Sequence, residues 1–294
     1  MLSEFPPAPE DQVTLANWRQ APHSAWAFHH VREIVPSAHI AHDPGAVRPL
    51  EGGAALDVEA VDLPRFITEG HVDGLVVLHR GKLIFEQYAN GMGPQDPHIL
   101  MSVSKSMLGL LAGILADRGI LDLDAMAEIY VPELTETAFA GVTVHQLLDM
   151  RTGITFDEDY EATAGAIIEY RKSTNWNPLG PGETPTDLRS FLLTLRDVDG
   201  PHGGVFDYKS PCTDLLGWII ERAAGAPYPV VFSDFFWKHV GAEAPAYITV
   251  DRLGAPRCAG GVCMTTRDLA RVGQLLVDGG GDIVPAAWID SIEN

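Results

Sequence analysis

The chain has 294 residues, of which 46% are hydrophobic and 20% charged, so it contains enough apolar material for a globular body with a sizeable core. Its 20 basic and 40 acidic residues give a net charge of −20 at pH 7. Such a surface repels the phosphates of nucleic acids and the head groups of anionic lipids, so we predict neither a nucleic-acid partner nor a membrane association.

The cysteines, the N-terminus and the hydropathy pattern indicate the compartment. The three cysteines are Cys212, Cys258 and Cys263, an odd and low number without Cys-x-x-Cys spacing, which implies neither a disulfide framework nor a structural zinc site. The N-terminus, MLSEFPPAPEDQ, is unlike a signal peptide, and no run of eighteen apolar residues occurs. We expect a cytoplasmic protein without a cofactor or a metal.

The first regular element in chain order is a hairpin. Residues 1–45 are rich in proline and aromatic residues and are predicted to form an arm on the main domain, residues 46–294. Within that domain, β-rich runs over Gly74–Leu78 and Lys82–Tyr88 flank a turn at Arg80-Gly81. Two strands alone make a poor sheet. Either segments that the pattern does not reveal complete the sheet, or the chain lacks part of its fold.

Helices dominate the rest of the chain. The first is predicted to end near Gly119 and carries apolar residues at helical spacing: Met107, Leu108, Leu111, Ile114 and Leu115. Further helical patterns cover 144–150, 215–224 and 266–276. The segment 154–204 is rich in Gly, Pro, Asp and Thr, which predicts a long loop with helical pieces. Loops of that length inside a globular body are often functional.

A Ser-x-x-Lys motif, Ser102-Val103-Ser104-Lys105, opens the first of these helices. Residues three apart share a helix face, so the Lys105 amine can reach the Ser102 hydroxyl. Serine is a weak nucleophile until a base removes its proton, and a desolvated lysine can be that base near neutral pH. The alternative is an ordinary helix start with a solvated lysine. Ser104 and Ser106 compete as nucleophiles, but only Ser102 has a lysine three residues later.

Other segments point in the same direction. Phe206-Asp207-Tyr208-Lys209-Ser210 precedes another apolar helix, and its Tyr-x-Ser follows the Ser-x-x-Lys motif along the chain. With LLDMRTGITFDEDY, DYKSPCTDLLGWIIERAAG and GGVCMTTRDLARVGQLL, in this order, the chain resembles the β-lactamase-related serine hydrolases of the class C and penicillin-binding type. Within that family it looks most similar to 6-aminohexanoate-dimer hydrolases.

The resemblance implies a fold and a mechanism. The fold would be α+β, an α/β sandwich with an antiparallel sheet flanked by helices plus an all-helical lobe, as in β-lactamases and transpeptidases. Ser102 would attack an acyl carbonyl, and its N–H would supply half of an oxyanion hole. Lys105 and Tyr208 would transfer the proton, and Ser210 would hydrogen-bond Lys105 or the substrate. The alternative for Tyr208 is a buried aromatic with a satisfied hydroxyl.

The predicted loop at 154–204 contains a tyrosine, Tyr160, for which two roles are open. FDEDY resembles the loop of the 6-aminohexanoate-dimer hydrolases in which a tyrosine contacts the substrate amide, and this resemblance would give Tyr160 that role. The alternative is a loop tyrosine that covers apolar surface. The neighbouring Asp157, Glu158 and Asp159 are interpreted as a solvated run of charge. Cys263, beside two glycines, is expected to pack in the core rather than to act as a nucleophile.

The sequence departs from the family near its end. Members carry a third motif, Lys-Thr-Gly or His/Trp-x-Gly, on a strand beside the nucleophile, whereas this chain stops at Asn294 and contains no Lys-Thr-Gly. We therefore expect the C-terminal strands to be absent from this chain and a separate C-terminal segment to complete the fold. A homodimer is a further open alternative.

The substrate expected from the resemblance is a small amide or ester cleaved through an acyl-serine intermediate. β-Lactamase or D-peptidase activity is the second hypothesis, since the same intermediate serves all of these reactions. A non-catalytic ligand-binding or sensor protein that keeps the fold is the third.

Overall fold

The computed structural model describes residues 5–60 and 62–293 of the chain. Its α-helices, in chain order, are α1 (Ser24–Ala27), α2 (Leu63–Glu69), α3 (Val103–Asp117), α4 (Ala127–Tyr130), α5 (Val144–Leu148), α6 (Ala166–Ser173), α7 (Leu188–Thr194), α8 (Ser210–Ala224), α9 (Tyr228–Phe232), α10 (Thr266–Val277) and α11 (Ala286–Glu293). Short 3₁₀ turns cover Pro9–Asp11, Val31–Glu33 and Pro132–Glu136, and a π-helical turn covers Ser233–Trp237. None of the helices within the described ranges is both long and apolar enough to cross a membrane.

The described strands form two antiparallel sheets. They are β1 (Ser37–Ile40), β2 (Gly74–His79), β3 (Lys82–Tyr88), β4 (His98–Ile99), β5 (Ala246–Thr249) and β6 (Val262–Met264). The larger sheet has the order β1-β5-β6-β4, and β2 with β3 forms the predicted hairpin as a separate sheet. With the helices packed around them, these sheets confirm the α+β fold.

The helical predictions agree closely with the structure. The five apolar residues that predicted α3 are all buried, and Gly119 ends this helix region with a left-handed φ of 65°. The third predicted helix begins earlier than its apolar pattern, at Ser210, because Pro211 in its first turn needs no intrahelical partner for a backbone N–H. The segment 154–204 holds α6 and α7 within its loops, as predicted.

Four strands of the larger sheet were missed by the sequence pattern. Strands β4 and β6 have two and three residues, too few for a period of two to be visible. All four residues of β5 are buried, so this strand shows no alternation of polar and apolar side chains. The fourth, β1, lies inside the segment interpreted as an arm.

The N-terminal segment is built into the fold. Strand β1 pairs with β5 from Ser37↔Thr249 to Ile40↔Ala246. Trp18 is 0% exposed, and its Nε1 donates to the Trp176 carbonyl over 3.1 Å. Around it lies a second hydrophobic cluster, separate from the main core, that also contains Cys263. Cys263 thus packs in the core, as expected, and residues of the N-terminal segment form one wall of the site described next.

Candidate active site

Hydrogen bonds connect the start of α3 to strand β6 of the larger sheet. The Leu100 N–H donates to the Val262 carbonyl over 2.8 Å, and the Val262 N–H donates to Ser104 Oγ over 3.1 Å. Ser104, a competing nucleophile in the sequence, is fully buried by this contact. Met101, just before the motif, has a left-handed φ of 46°, a strained conformation for a residue with a side chain. This turn places Ser102 at the N-terminus of α3.

The Ser102 hydroxyl lies between two polar side chains. The Lys105 Nζ donates to Ser102 Oγ over 3.0 Å, and the Tyr208 hydroxyl donates to the same oxygen over 2.7 Å. The Lys105 Nζ also lies 4.9 Å from the centre of the Tyr208 ring. The structure thus brings together the three residues that the motifs single out as catalytic, in a geometry that allows proton transfer from the serine.

Lys105 is in an environment that favours its neutral form. Burial lowers the pKa of Lys105, the hydrogen bond with Tyr208 opposes this change, and the positive charge of Arg257 lowers the pKa further. A neutral amine has a free lone pair and can accept the serine proton, whereas an ammonium cannot. The direction of the shift therefore suits a general base.

A backbone carbonyl provides the other partner of Lys105. The Lys105 Nζ donates to the Ala259 carbonyl over 2.7 Å, across 154 residues of sequence. The Ser102 N–H makes no hydrogen bond within the described residues and is available to a developing oxyanion. No group of three or more potential metal-ligating side chains occurs in those residues either.

Lys209, to which the sequence motifs assigned no role, holds the backbone next to Tyr208. Lys209 is 2% exposed; its Nζ donates to the Ile154 carbonyl over 2.5 Å and lies 2.7 Å from an Asp207 carboxylate oxygen. An inward-facing lysine beside Tyr208 fixes the backbone at that point. The side chain of Tyr208, the preceding residue, contacts Ser102.

Ser210 and Tyr160 lie in the same cleft but contact Glu158 instead of Lys105. The N–H and hydroxyl of Ser210 both donate to the Glu158 carboxylate, and the Tyr160 hydroxyl donates to Glu158 Oε1 over 3.2 Å. The interpretation of Glu158 as a solvated charge is wrong, because this side chain is half-buried, whereas Asp157 and Asp159 are exposed. The spacing of the acidic run gave no signal that distinguishes Glu158.

A buried network behind the site was also missed. Asp214 on α8 accepts hydrogen bonds from the Tyr170 hydroxyl over 2.5 Å and from the Ala259 N–H over 2.7 Å, and it forms an ion pair with Arg257. Asp214 thus binds the N–H of Ala259, the residue whose carbonyl accepts from Lys105. The available signal was the carboxylate of Asp214 between apolar residues of α8, where an unpaired charge would be costly.

The cleft beside Ser102 has a volume of about 450 Å³. Its walls come from Arg19 and Phe28 of the N-terminal segment, from the loop at 158–161 and from the turn at 257–260. A larger cavity of about 730 Å³ lies by the hairpin, and Ser102 is not among the residues that line it. The smaller cleft is the candidate active site because, of these two, it is the one that Ser102 lines.

Comparisons with known proteins identify the family. A sequence model of the family described as Beta-lactamase matches residues 63–291. A 6-aminohexanoate-dimer hydrolase from Paenarthrobacter ureafaciens is 38% identical over 298 residues, which cover 99% of this chain and 75% of the relative.

Solved structures show the same likeness. A Bacillus anthracis protein assigned as a 6-aminohexanoate-dimer hydrolase superposes with a TM-score of 0.87 at 26% identity, covering 98% of this chain and 78% of that one. An octameric penicillin-binding protein homologue from Pyrococcus abyssi has a TM-score of 0.62 at 19% identity, covering 81% and 60% of the two chains. The second similarity concerns the fold alone.

Proposed function

Because the chain belongs to the beta-lactamase family and is an amide hydrolase that works through an acyl-serine intermediate, we propose that Ser102 is its nucleophile and that Lys105 and Tyr208 transfer the proton. Membership of this family confirms the resemblance seen in the motifs. The observation that carries the residue assignment is the Ser102 Oγ, which accepts hydrogen bonds from Lys105 over 3.0 Å and from Tyr208 over 2.7 Å.

The reaction follows from this arrangement. Lys105, neutral, accepts the Ser102 proton as the hydroxyl attacks the acyl carbonyl, and the Ser102 N–H stabilises the negative oxygen of the tetrahedral intermediate. Tyr208, which bonds the same oxygen, passes its proton to the leaving amine or alcohol as the bond breaks and regains a proton from the Lys105 ammonium. A water molecule then attacks the acyl-serine and loses a proton to the same pair of side chains, which deliver it to Ser102 Oγ as the acyl bond breaks.

The substrate we propose is a short linear amide of the 6-aminohexanoate type, or a related ester. The support is the relative that is 38% identical and bears the name of a 6-aminohexanoate-dimer hydrolase. A cleft of about 450 Å³ is of a size that holds a small molecule. Tyr160 and Ser210, which line it together with Glu158, would contact the substrate amide.

The test uses Ser102→Ala with Ser106→Ala, an exposed serine on the same helix, as the matched control. We expect Ser102→Ala to lower turnover of a p-nitrophenyl ester and of the 6-aminohexanoate dimer at least about a thousandfold, because the nucleophile is lost. Mass spectrometry of the wild-type protein should detect the acyl adduct on Ser102.

Two results would contradict the proposal. One is a Ser102→Ala protein that keeps more than about a hundredth of the wild-type rate, which loss of a nucleophile does not allow. The other, against the substrate class, is a protein that opens a β-lactam probe and leaves the linear dimer intact.

A further inference from the structure

Three arginines gather in the cleft that contains Ser102. Arg19, Arg171 and Arg257 all line it, although they come from distant parts of the chain. Arg257 is paired with the Asp214 carboxylate. Within the described ranges, by contrast, no carboxylate forms an ion pair with Arg19 or Arg171. The cleft of a protein with a net charge of −20 therefore carries two cations without a counter-ion.

Both side chains are poorly satisfied. Arg171 is 9% exposed, and its guanidinium makes one hydrogen bond, to the Tyr160 carbonyl over 3.3 Å. Arg19 donates to Asn177 Oδ1 over 2.5 Å, while its Nε is buried without a partner. A guanidinium has five N–H donors, so most of the donors on these two groups remain free. These donors line the cleft and have no acceptor among the described residues, so they are available to an acceptor on a ligand.

Aromatic packing holds one of the two guanidinium groups in place. The Arg19 guanidinium carbon lies 5.7 Å from the Trp18 ring centre and 5.8 Å from that of Trp176. Burial, and then the charges of Arg171 and Arg257, lower the pKa of Arg19 to about 10, which still leaves it charged at neutral pH. The group is thus positioned before any ligand arrives.

The acidic side chains of the cleft form no ion pair with Arg19 or Arg171 in the described residues. Glu158 already accepts from Ser210 and Tyr160. Glu161 also lines the cleft, but it is exposed and forms no ion pair with any described residue. An anionic ligand would therefore meet donors that the protein leaves unused.

We propose that Arg19 and Arg171 form a carboxylate-binding subsite, so that the enzyme prefers amides and esters that carry a carboxylate away from the scissile carbonyl. The planar fork of a guanidinium matches the two oxygens of a carboxylate. This inference rests on the proposed function. A 6-aminohexanoate dimer carries its carboxylate on the amine half of the amide, and a dicarboxylic monoester carries it on the acyl half, so the two positions are tested separately.

The experiment compares matched substrates. For the acyl half, mono-p-nitrophenyl adipate is compared with its methyl ester. For the amine half, N-hexanoyl-6-aminohexanoate is compared with its N-methylamide. In at least one pair we expect the carboxylate to raise kcat/KM by about tenfold to a hundredfold, the range for a hydrogen bond to a charged group. Free adipate should inhibit competitively.

Variants then identify the groups responsible. Arg171→Gln should bring the carboxylate-to-neutral ratio of kcat/KM close to one, and Arg171→Lys should retain part of the preference. If Arg171→Gln does not fold, Arg19→Gln tests the subsite by the same ratio. Arg222→Gln, at an exposed arginine on α8, is the matched control and should leave the ratio unchanged.

The outcomes separate this subsite from the function itself. If the wild-type protein hydrolyses neither member of either pair, the proposed function fails. If it hydrolyses the neutral members through Ser102 but shows a ratio near one in both pairs, only the subsite is overturned. A ratio that survives both Arg171→Gln and Arg19→Gln also overturns it.

Discussion

At the scale of single residues, the proposed reaction depends on the protonation state of one lysine. Lys105 is surrounded by protein and lies near the Arg257 cation, and both effects destabilise its ammonium form. Tyr208 acts in the opposite direction, as a hydrogen-bond partner that favours the cation. Burial has the largest effect, so the pKa of Lys105 lies below that of an ordinary lysine.

This balance predicts a pH profile. Below its folded-state pKa, Lys105 is protonated and cannot accept the Ser102 proton; above it, the amine is free. Acylation should therefore rise with pH, with a midpoint below the ordinary lysine pKa of 10.5. Lys105→Arg should lower acylation at least about a hundredfold at every pH, because an arginine remains charged.

The measurement is the burst of p-nitrophenol from an activated ester across the pH range. The control is Lys172→Arg, which should keep the wild-type profile. Lys172 lies on α6 and forms ion pairs with Glu169 and Glu183. An arginine variant at position 105 that acylates at nearly the wild-type rate would exclude Lys105 as the base.

At the scale of elements, the site is assembled by α3, by the residues before α8 and by the turn between β5 and β6. Asp214 joins the last two, since it lies on α8 and binds the Ala259 N–H and the Arg257 guanidinium. Through the Ala259 carbonyl, this connection extends to Lys105 on α3. We interpret Asp214 as a positioning residue for the lysine.

Asp214→Asn tests this interpretation. The change leaves the buried Arg257 charge without its carboxylate, which should lower the free energy of unfolding by about 3–5 kcal/mol. Glu133→Gln removes the exposed partner of Arg222, also on α8, and should cost only about 0–1 kcal/mol. Urea unfolding gives both values. If Asp214→Asn costs no more than Glu133→Gln, the network does not stabilise the fold as described.

A positioning role also has a kinetic signature. In folded Asp214→Asn protein, kcat should fall more than KM changes, and the pH midpoint of acylation should move, because Lys105 loses a fixed partner and the arginine beside it loses its counter-ion. A variant that is less stable but has an unchanged pH profile would show that Asp214 acts on stability alone.

At the scale of the whole molecule, the N-terminal segment both completes the larger sheet and lines the cleft. Strand β1 forms one edge of that sheet, and Trp18 packs edge-on against Trp176 with ring centres 5.3 Å apart. The division into an arm, residues 1–45, and a domain, residues 46–294, stays a prediction. These contacts lead us to expect that the two unfold together.

Trp18→Ala should therefore weaken the entire fold. Removal of a fully buried tryptophan costs about 3–5 kcal/mol, and the protein should still unfold in one transition. Phe5→Ala, at a side chain that is 96% exposed, is the control and should change stability by no more than about 0.5 kcal/mol. Calorimetry is the measurement; a separate early transition confined to the N-terminal segment would contradict a single cooperative unit.

The sequence by itself determined the features that depend on near neighbours. Ser102 and Lys105 lie one helical turn apart, so a four-residue motif was enough to predict their contact, measured at 3.0 Å. The hairpin and α3 follow from periodicity over a few residues in the same way. The participation of Tyr208 came from resemblance, because no local rule connects residues 106 positions apart.

The tertiary structure decided the contacts between distant segments. The Lys105–Ala259 and Ser210–Glu158 hydrogen bonds span 154 and 52 residues, and the arginines of the cleft come from three separate segments. Strands β4 and β6 exist only because partners across the sheet satisfy their N–H and C=O groups. Local periodicity records which face of an element is buried, but not which distant side chain it meets, because that depends on how the whole chain packs.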